Sequence, residues 1–176
     1  MLDREIAEHR DEILGRWIDG VIEGYPEETA KFLRSQSDRF ANPVGASLRE
    51  GLAELLDGVI SGVEPDELSS ALDEVIRVRA VQEFAPSAAV GFVFDLKDLV
   101  REFSKEAGAD AAGSLDALED RIERLGLQAF DVYMRCREQM WLIRAKEIRN
   151  QSLGILERMQ EWREKRAENP ESAPRS

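Results

Sequence analysis

The sequence predicts an all-α protein, on three observations. Apolar residues recur at three- and four-residue intervals along most of the chain. No stretch alternates with the period of two that a half-buried strand requires. Proline, glycine and capping residues interrupt the pattern at helix-length intervals.

Asp3 is placed to cap a first helix whose inner face is Ile6, Ile13, Leu14, Trp17, Ile18 and Val21, ending at Gly24-Tyr25-Pro26. A second helix is expected from about Glu27 to Phe40, with its acids in the first turn, where the macrodipole favours them. Asn42-Pro43 restarts the chain, Asn as N-cap and Pro at the first helical position. That helix runs through Leu48, Leu52, Leu55, Leu56, Val59 and Ile60 to Ser61-Gly62. Glu64-Pro65 opens a fourth, with Leu68, Leu72, Val75, Ile76 and Val78 inward. After Pro86-Ser87 comes a fifth, apolar almost all round in its first half (Val90, Phe92, Val93, Phe94, Leu96) and so expected to be central. From Ser114 no proline occurs until Pro170, and about 50 residues of helix would span roughly 75 Å. A compact domain of this length is only about 30–40 Å across, so a bend or break near Gly126, or a projecting end, is expected. The architecture is about six helices over residues 1–166, followed by a disordered tail at 167–176.

Composition excludes more functions than it supports. The 176 residues suit one domain, and a mean hydropathy of −0.41 with no apolar run of about 18 residues excludes a spanning helix. Acids at Asp3 and Glu5 stand where a secretion signal needs a basic and then an apolar region, and Cys136 is the only cysteine. Both fit the cytoplasm. A net charge of −12 argues against nucleic acid and anionic membranes as partners. Residues 1–113 carry 12 basic and 24 acidic side chains, and residues 114–176 carry 12 of each, so the neutral part is the one suited to self-association.

No constellation for catalysis stands out. His9 is the only histidine and lies in a polar stretch, so a surface residue is expected, and no metal or cofactor is called for. No phosphate loop or nucleophile elbow is present, and the carboxylates are scattered along helix faces. Cys136 is expected to be a small core residue despite its neighbours Arg135 and Arg137. Lys97, on the apolar fifth helix, is expected to snorkel to the surface, with burial in an ion pair as the alternative. Arg77, Arg79 and Gln82 sit on a helix that otherwise looks inward, just before the Pro86-Ser87 helix start. Pairing of the arginines with acids such as Glu74 or Glu83 is one reading, and an anion held by an arginine and free N–H groups is the other.

On the long helix Leu115, Leu118, Ile122, Leu125 and Ala129 form one stripe. A second follows with Phe130, Tyr133, Met134, Trp141, Ile148, Ile155, Met159 and Trp162. Up to about residue 145 burial against the chain's own helices is expected. Beyond Ile148 a partner helix is expected, most simply a second copy. The candidate dimer or partner interface is therefore Phe130, Tyr133, Trp141, Ile148, Ile155, Met159 and Trp162.

Three segments carry a family resemblance: Arg39-Phe40-Ala41-Asn42-Pro43-Val44-Gly45, the stretch from Ile76 to Val90 containing Arg79-Ala80-Val81-Gln82-Glu83-Phe84-Ala85-Pro86-Ser87, and Phe92-Val93-Phe94-Asp95-Leu96-Lys97. Residues 129–138 fit the same family's last helix. Together they resemble the N-terminal sensor-type domain of RsbR-like co-antagonist proteins, the RsbRD N-terminal family. The resemblance implies a globin-like, non-haem, non-catalytic domain that dimerises through its last helices. It also directs the search for a ligand pocket, for a small molecule or an anion, to Arg77, Arg79, Gln82, Phe84 and Ser87. No STAS domain follows, so a free-standing sensor acting on a separate signalling protein is expected. A structural adaptor without a ligand is the alternative.

Overall fold

The computed structural model describes residues 6–35, 40–82, 84–107 and 112–168. Asp3, Arg39, Glu83 and residues 169–176, most of the expected tail, lie outside them. The chain divides into two units, one up to Cys136 and one from Arg137 onward.

The described residues are helical, and no strand occurs among them. The helices are α1 (Arg10–Glu23), α2 (Glu27–Ser35), α3 (Pro43–Ser61), α4 (Ser69–Val81), α5 (Pro86–Ala107) and α6 (Ala112–Glu168), with a 3-10 turn at Pro65–Leu68. In the first unit α3 packs on α4 and α1 on α5. The core gathers Trp17, Leu52, Leu55, Leu72, Ile76, Val93 and Leu96 with the inner face of α6, at Leu118, Ile122, Leu125, Ala129, Val132 and Cys136. Each such aliphatic side chain contributes about 1.5–3 kcal/mol by leaving water.

The boundaries follow local chemistry. Asn42 is fully buried and serves two helices. Its Oδ1 accepts from the Gly45 N–H at 2.8 Å, capping α3, while its Nδ2 donates to the Phe32 and Leu33 carbonyls near the end of α2, both at 3.3 Å. Helix α2 is described from Glu27 to Ser35, residues 36–39 lie outside the described residues, and Phe40, the expected last residue, is in a turn and 97% exposed. Helix α3 stops at Gly62, whose φ of 76° only glycine adopts without strain, and the Val63 N–H closes back onto the Gly58 carbonyl at 2.9 Å. Pro65 opens a 3-10 turn instead of the fourth helix itself.

One expectation is corrected on α4, and on α6 the alternative of a break is removed. On α4 the buried position is Arg79 and Val78 is only half-buried. On α6 the helix is uninterrupted at Gly126. A Cβ there would lie 2.4 Å from the Phe94 Cζ, so the glycine makes room for an aromatic ring of α5 and no bend is needed. Lys97 does not reach free solvent. Its side chain is 15% exposed, and Nζ lies 2.6 Å from Glu123 and 3.2 Å from Glu119, tying α5 to α6.

The second unit is the rest of α6. From Trp141 to Lys165 its side chains are exposed except for Gly154, which is half-buried.

Candidate functional site: an aromatic cleft over Arg79

The site is built around a buried cation. Arg79 lies in the last turn of α4 and is 3% exposed. Its Nε donates to the Ala89 carbonyl at 3.1 Å, Nη2 to the Ala88 carbonyl at 2.8 Å, and Nη1 to the Val21 carbonyl at 3.5 Å. One guanidinium thus ties the end of α4 to the first turn of α5 and the last turn of α1. Three rings enclose it: Phe84 at 4.5 Å, Phe92 at 5.3 Å and Tyr25 at 5.4 Å from its central carbon. Burial pulls the Arg79 pKa below its ordinary value, and Tyr25 nearby opposes that shift.

Tyr25 and Phe84 meet edge to face at 5.1 Å. The Tyr25 hydroxyl is buried beside the Arg79 guanidinium and makes no hydrogen bond of full geometry among the described residues; burial raises its pKa, and Arg79 opposes that shift. On the solvent side of these rings Gly24, Tyr25, Pro26, Thr29, Gln82 and Phe84 line an open cleft of about 530 Å³. The cleft combines an aromatic wall with the polar ends of Thr29 and Gln82, a surface suited to a small, partly apolar molecule. A smaller cleft of about 270 Å³ lies between α1 and α5 beside Asp95, Asp98 and the Arg16–Glu102 ion pair. Burial and then the nearby Asp98 raise the Asp95 pKa.

Of the five residues the sequence brought forward, the structure gathers three: Arg79, Gln82 and Phe84. Arg77 is on the other face of α4, about 200° round the helix from Arg79, where it pairs with Asp73 at 2.6 Å. Ser87 is exposed in the first turn of α5. Arg79 also meets the wrong side of the α5 start to help bind an anion there, since its donors go to carbonyl oxygens. Sequence reasoning missed Gly24, Tyr25, Pro26 and Thr29. The Gly-Tyr-Pro break after α1 was visible, but it reads as punctuation until α4 is seen to end against it.

The residues expected at an interface divide in two. Tyr133 belongs to the core: it shares the inner face of α6 with Ala129, Val132 and Cys136, and its hydroxyl donates to the Phe84 carbonyl at 3.0 Å. Phe130, Trp141, Ile148, Ile155, Met159 and Trp162 are exposed. Cys136 is buried, and burial first, then Asp73, pushes its thiol pKa up, the reverse of an activated thiolate. His9 is exposed against the Phe103 ring. Among the described residues no cluster of His, Cys, Asp and Glu is arranged to hold a metal ion, and no helix is long and apolar enough to cross a membrane.

Residues 11–148 match the family described as the RsbT co-antagonist protein rsbRD N-terminal domain. The chain belongs to this family. Membership in the RsbRD N-terminal family makes it a regulatory, sensor-type domain. The matched span contains the whole Arg79 site and the first part of α6. An uncharacterized protein of Archaeoglobus fulgidus is 26% identical over 143 residues, covering 78% of this chain and 83% of that protein. No solved structure matches the chain significantly.

Proposed function

We propose that this RsbRD N-terminal domain is a ligand-responsive signalling module. Its input is the Tyr25–Phe84 cleft, and its output is the exposed face of α6 from Trp141 to Trp162, read by a separate protein. The observation that carries the reading is the position of Arg79 behind the cleft's aromatic wall. A molecule that displaces Tyr25 or Phe84 acts on a side chain that bonds α1, α4 and α5 together. A ligand of this kind signals only if it binds one arrangement of those helices better than another. Tyr133 supplies a mechanical link, since it fixes the Phe84 backbone to α6. Residues 1–166 then act as one functional segment.

The adaptor reading, with no ligand, draws on the same exposed face of α6 and leaves the cleft without a role. Native mass spectrometry of the protein purified from its source separates the two. A retained small molecule whose mass is lost in the Gln82→Ala/Thr29→Val variant is the expected result. A bare chain that also shows no thermal shift across a panel of small carboxylates, amides and aromatic metabolites would transfer the case to the adaptor.

A further inference from the structure

Arg79 is a buried cation held by dipoles. The three groups that its guanidinium bonds are carbonyl oxygens, which take three of its five N–H donors, and the Tyr25 hydroxyl stands beside it. No carboxylate of the described residues forms an ion pair with it; Asp95 acts on it through its field alone. A charge withdrawn from water without a counter-charge is where an anion gains most.

Gly24 opens the way to it. This residue is exposed and lines the cleft, and its φ of −67° and ψ of −9° are helical values that any residue adopts, so the backbone does not call for glycine. A Cβ there would lie 3.7 Å from the Arg79 Nη2 and 3.4 Å from the Val21 carbonyl oxygen. The missing side chain thins the floor of the cleft over the guanidinium, and a ligand atom in the place of that Cβ would touch Nη2.

The aromatic wall acts in the same sense. Phe84 lines the cleft and has the guanidinium 4.5 Å from its ring centre. The ring's electrons are already engaged by that cation, and a second cation stacked on the ring would be repelled by the first. Glu23 and Glu27, next to lining residues in sequence, face Arg34 at 3.6 Å and Lys31 at 2.6 Å. None of the lining residues carries a second positive charge, which suits a ligand with a single negative one, a carboxylate more than a phosphate.

We infer that the cleft takes an organic carboxylate with a planar, apolar body, its carboxylate over Gly24 toward Arg79 and its body against Phe84 and Pro26. The inference rests on reading the cleft as the input and names the chemical class of what enters it. The anion that the sequence suggested at the start of α5 thereby has its place on the other side of the same arginine.

The test titrates the full chain by calorimetry with three probes of one shape: naphthoate, naphthamide and naphthamidine, which are anionic, neutral and cationic. Naphthoate should bind at least about tenfold tighter than naphthamide, and naphthamidine weakest. The net charge of −12 disfavours an anion over the surface as a whole, so this order reports a local cation. Gly24→Ala should abolish the preference for naphthoate while keeping the helicity and thermal midpoint, since its methyl meets the neighbouring atoms at ordinary contact distances. Equal binding of the three probes, or a preference that survives in Gly24→Ala, would overturn the carboxylate assignment and leave the cleft standing as the input. Binding of none of them would overturn both.

Discussion

The Tyr133 hydroxyl donates to the Phe84 carbonyl at 3.0 Å, so the long helix holds the segment whose ring covers Arg79. Removing that hydroxyl leaves the packing of the ring in place and takes away one bond. Tyr133→Phe should cost about 0.5–1.5 kcal/mol in urea unfolding. An unchanged midpoint would show that α6 does not restrain the Phe84 segment.

Arg79 serves three carbonyls by the fork geometry of a guanidinium, which an ammonium cannot reproduce. Arg79→Lys should therefore destabilise the fold by about 2–4 kcal/mol, although it conserves the charge. A loss under 1 kcal/mol would mean that the cation alone, without its geometry, joins the three helices.

Tyr25 gives a pH signature. Burial raises its pKa above the ordinary value of about 10, so the folded state keeps the proton longer than the unfolded chain does. The associated stability is present below pH 10 and is lost as the pH rises through the folded-state value. Tyr25→Phe should lessen the alkaline decline in stability, and at neutral pH it should cost less than about 1 kcal/mol, because the buried hydroxyl faces Arg79 without a hydrogen bond of full geometry. A marked destabilisation at neutral pH would show that the hydroxyl is bonded in solution.

The close approach of Gly126 to Phe94 is open to a double-mutant cycle. Gly126→Ala alone should destabilise, because the new Cβ displaces the ring. In a Phe94→Ala background the same change should stabilise by about 1 kcal/mol, as alanine does over glycine inside a helix. Equal effects in both backgrounds would exclude the contact.

Most of the fold was legible because its signals are local. Asn42-Pro43, Gly62 and Pro86 mark their own boundaries, and the seam from Leu118 to Ala129 has only one way to face. What escaped depends on contacts between segments far apart in sequence. Gly126 looks like a weak point until Phe94 is set beside it. Tyr133 reads as core or as interface alike until the Phe84 carbonyl is found under its hydroxyl. Tyr25 reads as part of a turn because its neighbour Arg79 is 54 positions away. The candidate site was found in half for the same reason: the stretch around Arg79 announced one wall, and the other wall comes from a helix terminus with no chemical pattern of its own.

Asn42 joins the end of one helix to the start of the next through a single carboxamide, a group that in ageing proteins is lost by cyclisation onto the following backbone nitrogen. Here that nitrogen belongs to Pro43 and carries no hydrogen, so the cyclic imide cannot form. The residue that fixes this corner is thereby shielded from deamidation through its neighbour's nitrogen, the commonest spontaneous damage to its kind.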